Sequence, residues 1–164
     1  MTNMTKELPE RNEVPEELTW DLATIFASEE EWEKEYKQLN EDVPKVKEFQ
    51  GKLGDSADQL YSLFQFQDNI SERLGKLYTY SRMRYDEDTT NSSYQAMNQK
   101  AESVLTLASS SMSFIVPEIL QIDETTIEQF LLDKPDLQLY KKTLEEIARQ
   151  RAHILSEKEE VLLS

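Results

Sequence analysis

Apolar residues begin to recur at helical spacing only after residue 27, and from there the chain reads as a succession of helices. Trp32, Tyr36, Leu39, Val43 and Val46 step by three and four along one face. They follow Ser28 and Glu31, a pair of capping-box form in which the serine hydroxyl takes a free backbone N–H and the glutamate reaches back. The pattern runs through Pro44, which predicts a kink there rather than a stop, and Gly51 and Gly54 end the run. Ser56 and Gln59 form a second such box. Behind it Leu60, Leu63, Phe64, Ile70, Leu74, Leu77, Tyr78 and Ser81 define one long helix to about Tyr85, with Gly75 predicted to mark a close helix contact or a bend.

The acidic stretch Asp86 to Thr90 breaks the pattern. Ser92 with Gln95 then reads as the cap of a third helix, whose face carries Tyr94, Met97, Ala101, Val104, Leu105, Ala108 and Met112, so the two long helices form an antiparallel hairpin. Pro117 suits the first turn of a short helix, Thr125 with Glu128 caps another, and 137–151 and 156–163 supply two more. No stretch alternates convincingly enough for a strand. The fold class expected is all-α: an antiparallel helical bundle with one long central hairpin and shorter C-terminal helices.

Residues 1–27 differ from the rest. They are polar up to residue 19, with Pro9 and Pro15, and then carry Trp20, Leu22, Ile25 and Phe26, which are too apolar to be left in water. The expectation is a loose polar arm and an apolar strap laid in extended or turn form across a helical domain of residues 28–164. At the other end, the helix capped by Ser156 and Glu159 is barely two turns long and finishes on Val161, Leu162 and Leu163; helices this short are marginal alone, so this end is expected to need a following segment.

Composition supports the helical reading and narrows the partners. Only three glycines and five prolines occur in 164 residues, against the turn-rich texture of a sandwich or barrel, and a domain of about 150 residues buries roughly 70% of its unfolded surface. The formal net charge of −15, from 33 acidic and 18 basic residues, repels phosphate backbones and anionic lipid, so neither nucleic acid nor membrane is expected as a partner. No apolar run approaches the roughly 20 residues of a spanning helix, and the first residues lack the apolar core of a secretory signal. With no cysteine, the chain holds no disulfide framework. A cytoplasmic location is expected.

Candidate chemistry is sparse. His153 is the single histidine, without a His-Glu-x-x-His or Glu-x-x-His pattern, and reads as a structural or helix-end residue. The serines of 109–113 lack an available base and read as helix packing. Asp86, Glu87 and Asp88 lack the spacing and glycine of a calcium loop and are expected to make a turn and pair with Arg82 and Arg84. Arg82, Arg84 and Tyr85, interleaved with Tyr78, Tyr80 and Met83, form either an intramolecular salt-bridge and core cluster or a recognition strip for a peptide carboxylate.

Three motifs occur in order: Val14 and Pro15 followed by Thr19 to Leu22, Ile25 and Phe26; Leu77 to Ser81 followed by Tyr85 to Thr90; and His153 to Ser156 with Glu160. Together they resemble the amino-terminal part of oligoendopeptidase F, a member of the thimet-type zinc oligopeptidases. The resemblance implies a cytoplasmic zinc metallopeptidase whose helices enclose a deep groove for short peptides. It also implies zinc held by the two histidines of His-Glu-x-x-His and a later glutamate, with the motif's own glutamate activating water. None of these positions exists here, so no catalytic, cofactor-binding or metal residue can be assigned. The resemblance therefore implies an amino-terminal domain that forms part of the channel wall, is not catalytic alone, and partners a carboxy-terminal catalytic portion that holds the zinc. The alternatives are a stand-alone acidic helical module that binds a protein, and a wall supplied in trans to a separate catalytic half.

Overall fold

The computed structural model describes residues 9–151, and within them every regular element is helical. Five helices are bounded: α1 (Glu29–Asp42), α2 (Ala57–Glu87), α3 (Ser92–Met112), α4 (Ile115–Gln121) and α5 (Glu124–Asp133). A sixth, α6, is described over 141–151. The all-α bundle built on a central hairpin is therefore observed. His153 and the helix expected at 156–163 lie outside the described residues.

Ser28 and Ser56 start α1 and α2 as their hydroxyls accept the N–H of Glu31 and Gln59, each at 3.2 Å. Three glutamates in the first turn of α1 face the positive end of its dipole. At Pro44 the helix does not kink and continue. It tightens into a 3-10 run, Val43–Phe49, because proline offers no N–H and its ring would strike the carbonyl four residues back. Gly51, at φ +81°, then turns the chain in the left-handed region that glycine occupies without strain.

Two other caps differ from expectation. The start of α3 is held by Asn91, not Ser92: its side-chain oxygen accepts from Ser93 and Tyr94, while Gln95 turns back to donate to the Thr89 carbonyl at 2.8 Å. At α5 the helix begins at Glu124 with Asp123 at the cap position, so Thr125 already sits inside the first turn. The chain enters α6 through a 3-10 run, Pro135–Tyr140, rather than as α-helix from Leu137. Gly75 marks no close helix contact; it is exposed within continuous helix, with open space where a Cβ would stand.

Two apolar clusters lie along α2. Its first half, with Leu60, Leu63 and Phe64, packs against α4, α5, α6 and the 3-10 runs. Its second half, with Ile70, Leu74, Leu77 and Tyr80, packs against α1, α3 and Leu22 of the strap. Trp32, 1% exposed, donates its indole N–H to the Leu77 carbonyl at 2.8 Å and so pins α1 to the middle of the hairpin. Arg73 of α2 binds Glu35 at the middle of α1 and Asp42 at its C-terminal end, two turns apart.

Residues 9–28, before α1, are turned and partly buried. They make three 3-10 turns, Arg11–Glu13, Glu16–Leu18 and Leu22–Thr24, and Arg11 reaches Glu87 at 2.8 Å. Leu22 is buried, and Phe26 meets the Tyr80 ring edge-on with centroids 5.5 Å apart. Trp20 does the opposite of what its apolar character suggests and stays 79% exposed, because the turn that buries Leu22 points it away from the bundle. Ser92–Gln121 is, by length and hydropathy, long and apolar enough to cross a membrane, contrary to the expectation that nothing here reaches that length. In this fold a turn at Ser113 and Phe114 interrupts it, and Ala101, Val104 and Ala108 pack on α2.

Candidate functional site

The strip from Tyr78 to Asp88 turns inward. The Arg84 guanidinium lies 5.3 Å over the Tyr80 ring and 5.8 Å over Tyr94, within bonding distance of the Tyr80 hydroxyl and of Glu87. Burial works against its charge, but Tyr80 and Glu87 raise its pKa above the ordinary arginine value. The other Glu87 oxygen takes Arg11. Arg82, on the exposed side, pairs with Asp86 at 3.3 Å and covers Tyr85. The acidic turn is a structural device too: Asp88 accepts from the Thr90 hydroxyl and backbone, which holds its carboxyl below the usual range. Of the two readings of this strip, the intramolecular one describes its geometry. In the serine run only Ser111 is buried; Ser110 and Ser113 bond the backbone of the preceding turn.

A concave surface lies elsewhere, between α4, α5 and α6. A groove of about 810 Å³ is floored by Ile119, Leu120, Ile127, Leu131, Leu144 and Ile147, with Leu132 at its lip 73% exposed. That volume falls in the usual range for ligand-sized clefts. Spacing explains the floor: Ile127 and Leu131, and Leu144 and Ile147, sit four and three residues apart, so each short helix presents one apolar stripe. Arg151 closes one end, donating to the carbonyls of Leu120 and Ile122 at 2.9 and 3.0 Å and pairing with Glu124 at 3.2 Å. It thereby satisfies backbone acceptors at the end of α4. The sequence predicts these helices but not their shared concavity, since the stripes are too short to show that two of them face one hollow.

A second hollow of about 690 Å³ adjoins the loop after the Val43–Phe49 run. Of the acids that line it, Glu118 is already engaged by backbone N–H groups of that loop. Among the described residues no three His, Cys, Asp or Glu side chains come together as a metal set. The described residues therefore offer no set of side chains that fits a zinc ion.

Comparison with known proteins supplies the context. The family model described as Oligopeptidase F matches residues 118–164, the span that includes every residue of the groove between α4, α5 and α6. The chain is 50% identical to oligopeptidase PepF of Bacillus subtilis over 158 residues, which is 96% of this chain and 24% of that protein. The crystal structure of oligoendopeptidase-F from Enterococcus faecium superposes with a TM-score of 0.70 at 30% identity, covering 82% of this chain and 26% of that one. A Chlamydophila abortus structure described as a candidate peptidase gives 0.79 at 26% identity, over 90% and 25%. The chain spans about a quarter of the length of the curated relatives it matches, at their amino-terminal end. Over that amino-terminal quarter, it belongs to the oligoendopeptidase F family.

Proposed function

We propose that this chain is the amino-terminal helical domain of a cytoplasmic zinc metalloendopeptidase that hydrolyses short peptides, and that it forms part of the wall of the substrate channel. The observation that carries this reading is the 50% identity that runs over nearly all of the chain yet occupies only a quarter of the relative. In this reading the zinc and its ligands belong to the remaining carboxy-terminal portion, and the domain contributes shape, exclusion of folded proteins and a rigid support.

The test compares two proteins on one internally quenched short peptide: the longer polypeptide that carries this chain at its amino end, and the 164-residue chain alone. The longer protein is expected to cleave the peptide, to lose activity with a zinc chelator and to regain it with zinc. The short chain is expected to be inactive with or without zinc. Zinc-dependent cleavage by the short chain would overturn the assignment.

A further inference from the structure

We infer that the groove between α5 and α6 is the seat of an amphipathic helix from the remaining, larger part of the same polypeptide. The inference rests on the reading of this chain as one domain of a longer peptidase, and it names what that domain holds.

The walls decide what kind of occupant fits. Both are α-helices, whose interior backbone N–H and C=O groups are bonded within their own turns, and no strand edge occurs among the described residues. An extended peptide laid on Leu131 and Leu144 would bury its own backbone groups without partners from those walls, at a cost for each. A helix satisfies its backbone internally and needs from the surface only apolar contact, which Ile127, Leu131, Leu144 and Ile147 supply.

Charge decides where the helix comes from. The chain carries 33 acidic and 18 basic residues, so two copies approaching each other meet a net −15 on each side. The groove is the exception to that excess: Glu124, Glu128 and Glu145 around it are matched by Lys141, Arg149 and Arg151. A balanced seat on an acidic surface suits a tethered helix, which is held there at high effective concentration. The remaining three quarters of the relatives' length provide ample chain from which such a helix can come.

The experiment uses the longer polypeptide with Leu132→Cys at the groove lip on α5 or, in a separate variant, Glu145→Cys on α6. Alkylation by a maleimide is read at each position by peptide mass mapping, in native buffer and in urea. An occupied groove should slow labelling at Leu132→Cys about tenfold or more relative to urea, the factor expected when a protected site is open about a tenth of the time. The slowing should be independent of protein concentration and need no added peptide. Should the Leu132 variant not fold, the Glu145 variant gives the reading.

Labelling as fast as in urea would overturn the inference. Slowing that grows with protein concentration would also overturn it and assign the seat to a second copy. Slowing that appears only with a bound peptide would overturn it in favour of a substrate subsite. Peptide cleavage by the same samples separates the two readings: protected thiols without cleavage would sink the enzymatic assignment alone, and cleavage with unprotected thiols would sink the docking alone.

Discussion

One carboxylate oxygen of Glu118 accepts the backbone N–H of Leu53 at 3.0 Å, and the other accepts that of Gly51 at 2.9 Å. The pair ties α4 to the turn that separates α1 from α2, more than sixty residues earlier in the chain. Leu53 itself is fully buried, so the loop cannot drift outward without opening the core. Glu118→Ala orphans two backbone donors and is expected to cost about 1–3 kcal/mol. Urea denaturation followed by circular dichroism measures it, and an unchanged midpoint would show that water replaces the carboxylate without loss.

Trp32 offers a different kind of restraint, because its ring is buried and its N–H is bonded to a helix carbonyl. Trp32→Phe keeps much of the apolar volume but leaves the Leu77 oxygen with one bond fewer, while Trp32→Ala also opens a cavity beside Tyr36, whose ring stacks on Trp32. The expected losses are about 1–2 kcal/mol for phenylalanine and about 3–5 kcal/mol for alanine. Equal losses for the two would contradict a separate contribution from the indole N–H.

Gly75→Ala should stabilise the protein. The position is exposed and helical, a Cβ there meets nothing within 4 Å, and glycine is worse than alanine inside a helix by about 1 kcal/mol. A rise in melting temperature checks this; a fall would reveal a contact that the geometry does not contain.

At the acid end, Asp42 is held below the usual carboxylate range, first by its hydrogen bond from Lys45 and then by Arg73 and Gln38, with burial opposing. A pKa lowered in the folded state contributes stability above the unfolded value of about 4, and that stability is lost as pH falls through the folded value. Asp42→Asn should therefore lower stability at neutral pH and flatten the loss on acidification below about pH 4. An acid profile that keeps its original slope in the variant would remove Asp42 from the explanation.

Tyr140 titrates at the opposite end. Burial and then its hydrogen bond to Asp68, at 2.5 Å, push the phenol up to about 12. Because the folded state holds the proton more tightly than an unfolded tyrosine near 10, its contribution is complete below about pH 10 and disappears as pH rises toward 12. Tyr140→Phe should blunt that alkaline decline, which denaturant midpoints at a series of pH values would detect. If the variant declines as steeply as the parent, another group is responsible.

The parts of this fold that are legible in the sequence are those written in long periodic runs. Leu60 to Ser81 and Met97 to Ala108 carry enough turns for one face to declare itself, and both helices of the hairpin occur where the pattern predicts them. The expectations that fail turn on single residues with rival partners. Asn91 precedes Ser92 and wins the cap of α3 by reaching two N–H groups; Trp20 is as apolar as Leu22 but lies on the other side of a tight turn. The arginine and tyrosine strip is open between two readings because sequence spacing does not show that Arg11 and Tyr94 complete the ring of partners around Arg84 and Glu87. The groove is least legible of all, since a concavity is a relation between helices and not a property of either.

The uninterrupted helix α2 runs through both apolar clusters, the run Val43–Phe49 gives Val46 to one and Val43 to the other, and Phe66 and Met112 pack against both. At 1.5 Å per residue its 31 residues extend about 46 Å, so α2 works as a beam with a load fixed at each end. The strap bears on one end through Leu22, and the floor of the groove bears on the other. Because one continuous helix runs through both clusters, the strap and the floor of the groove are held at a fixed spacing along its axis.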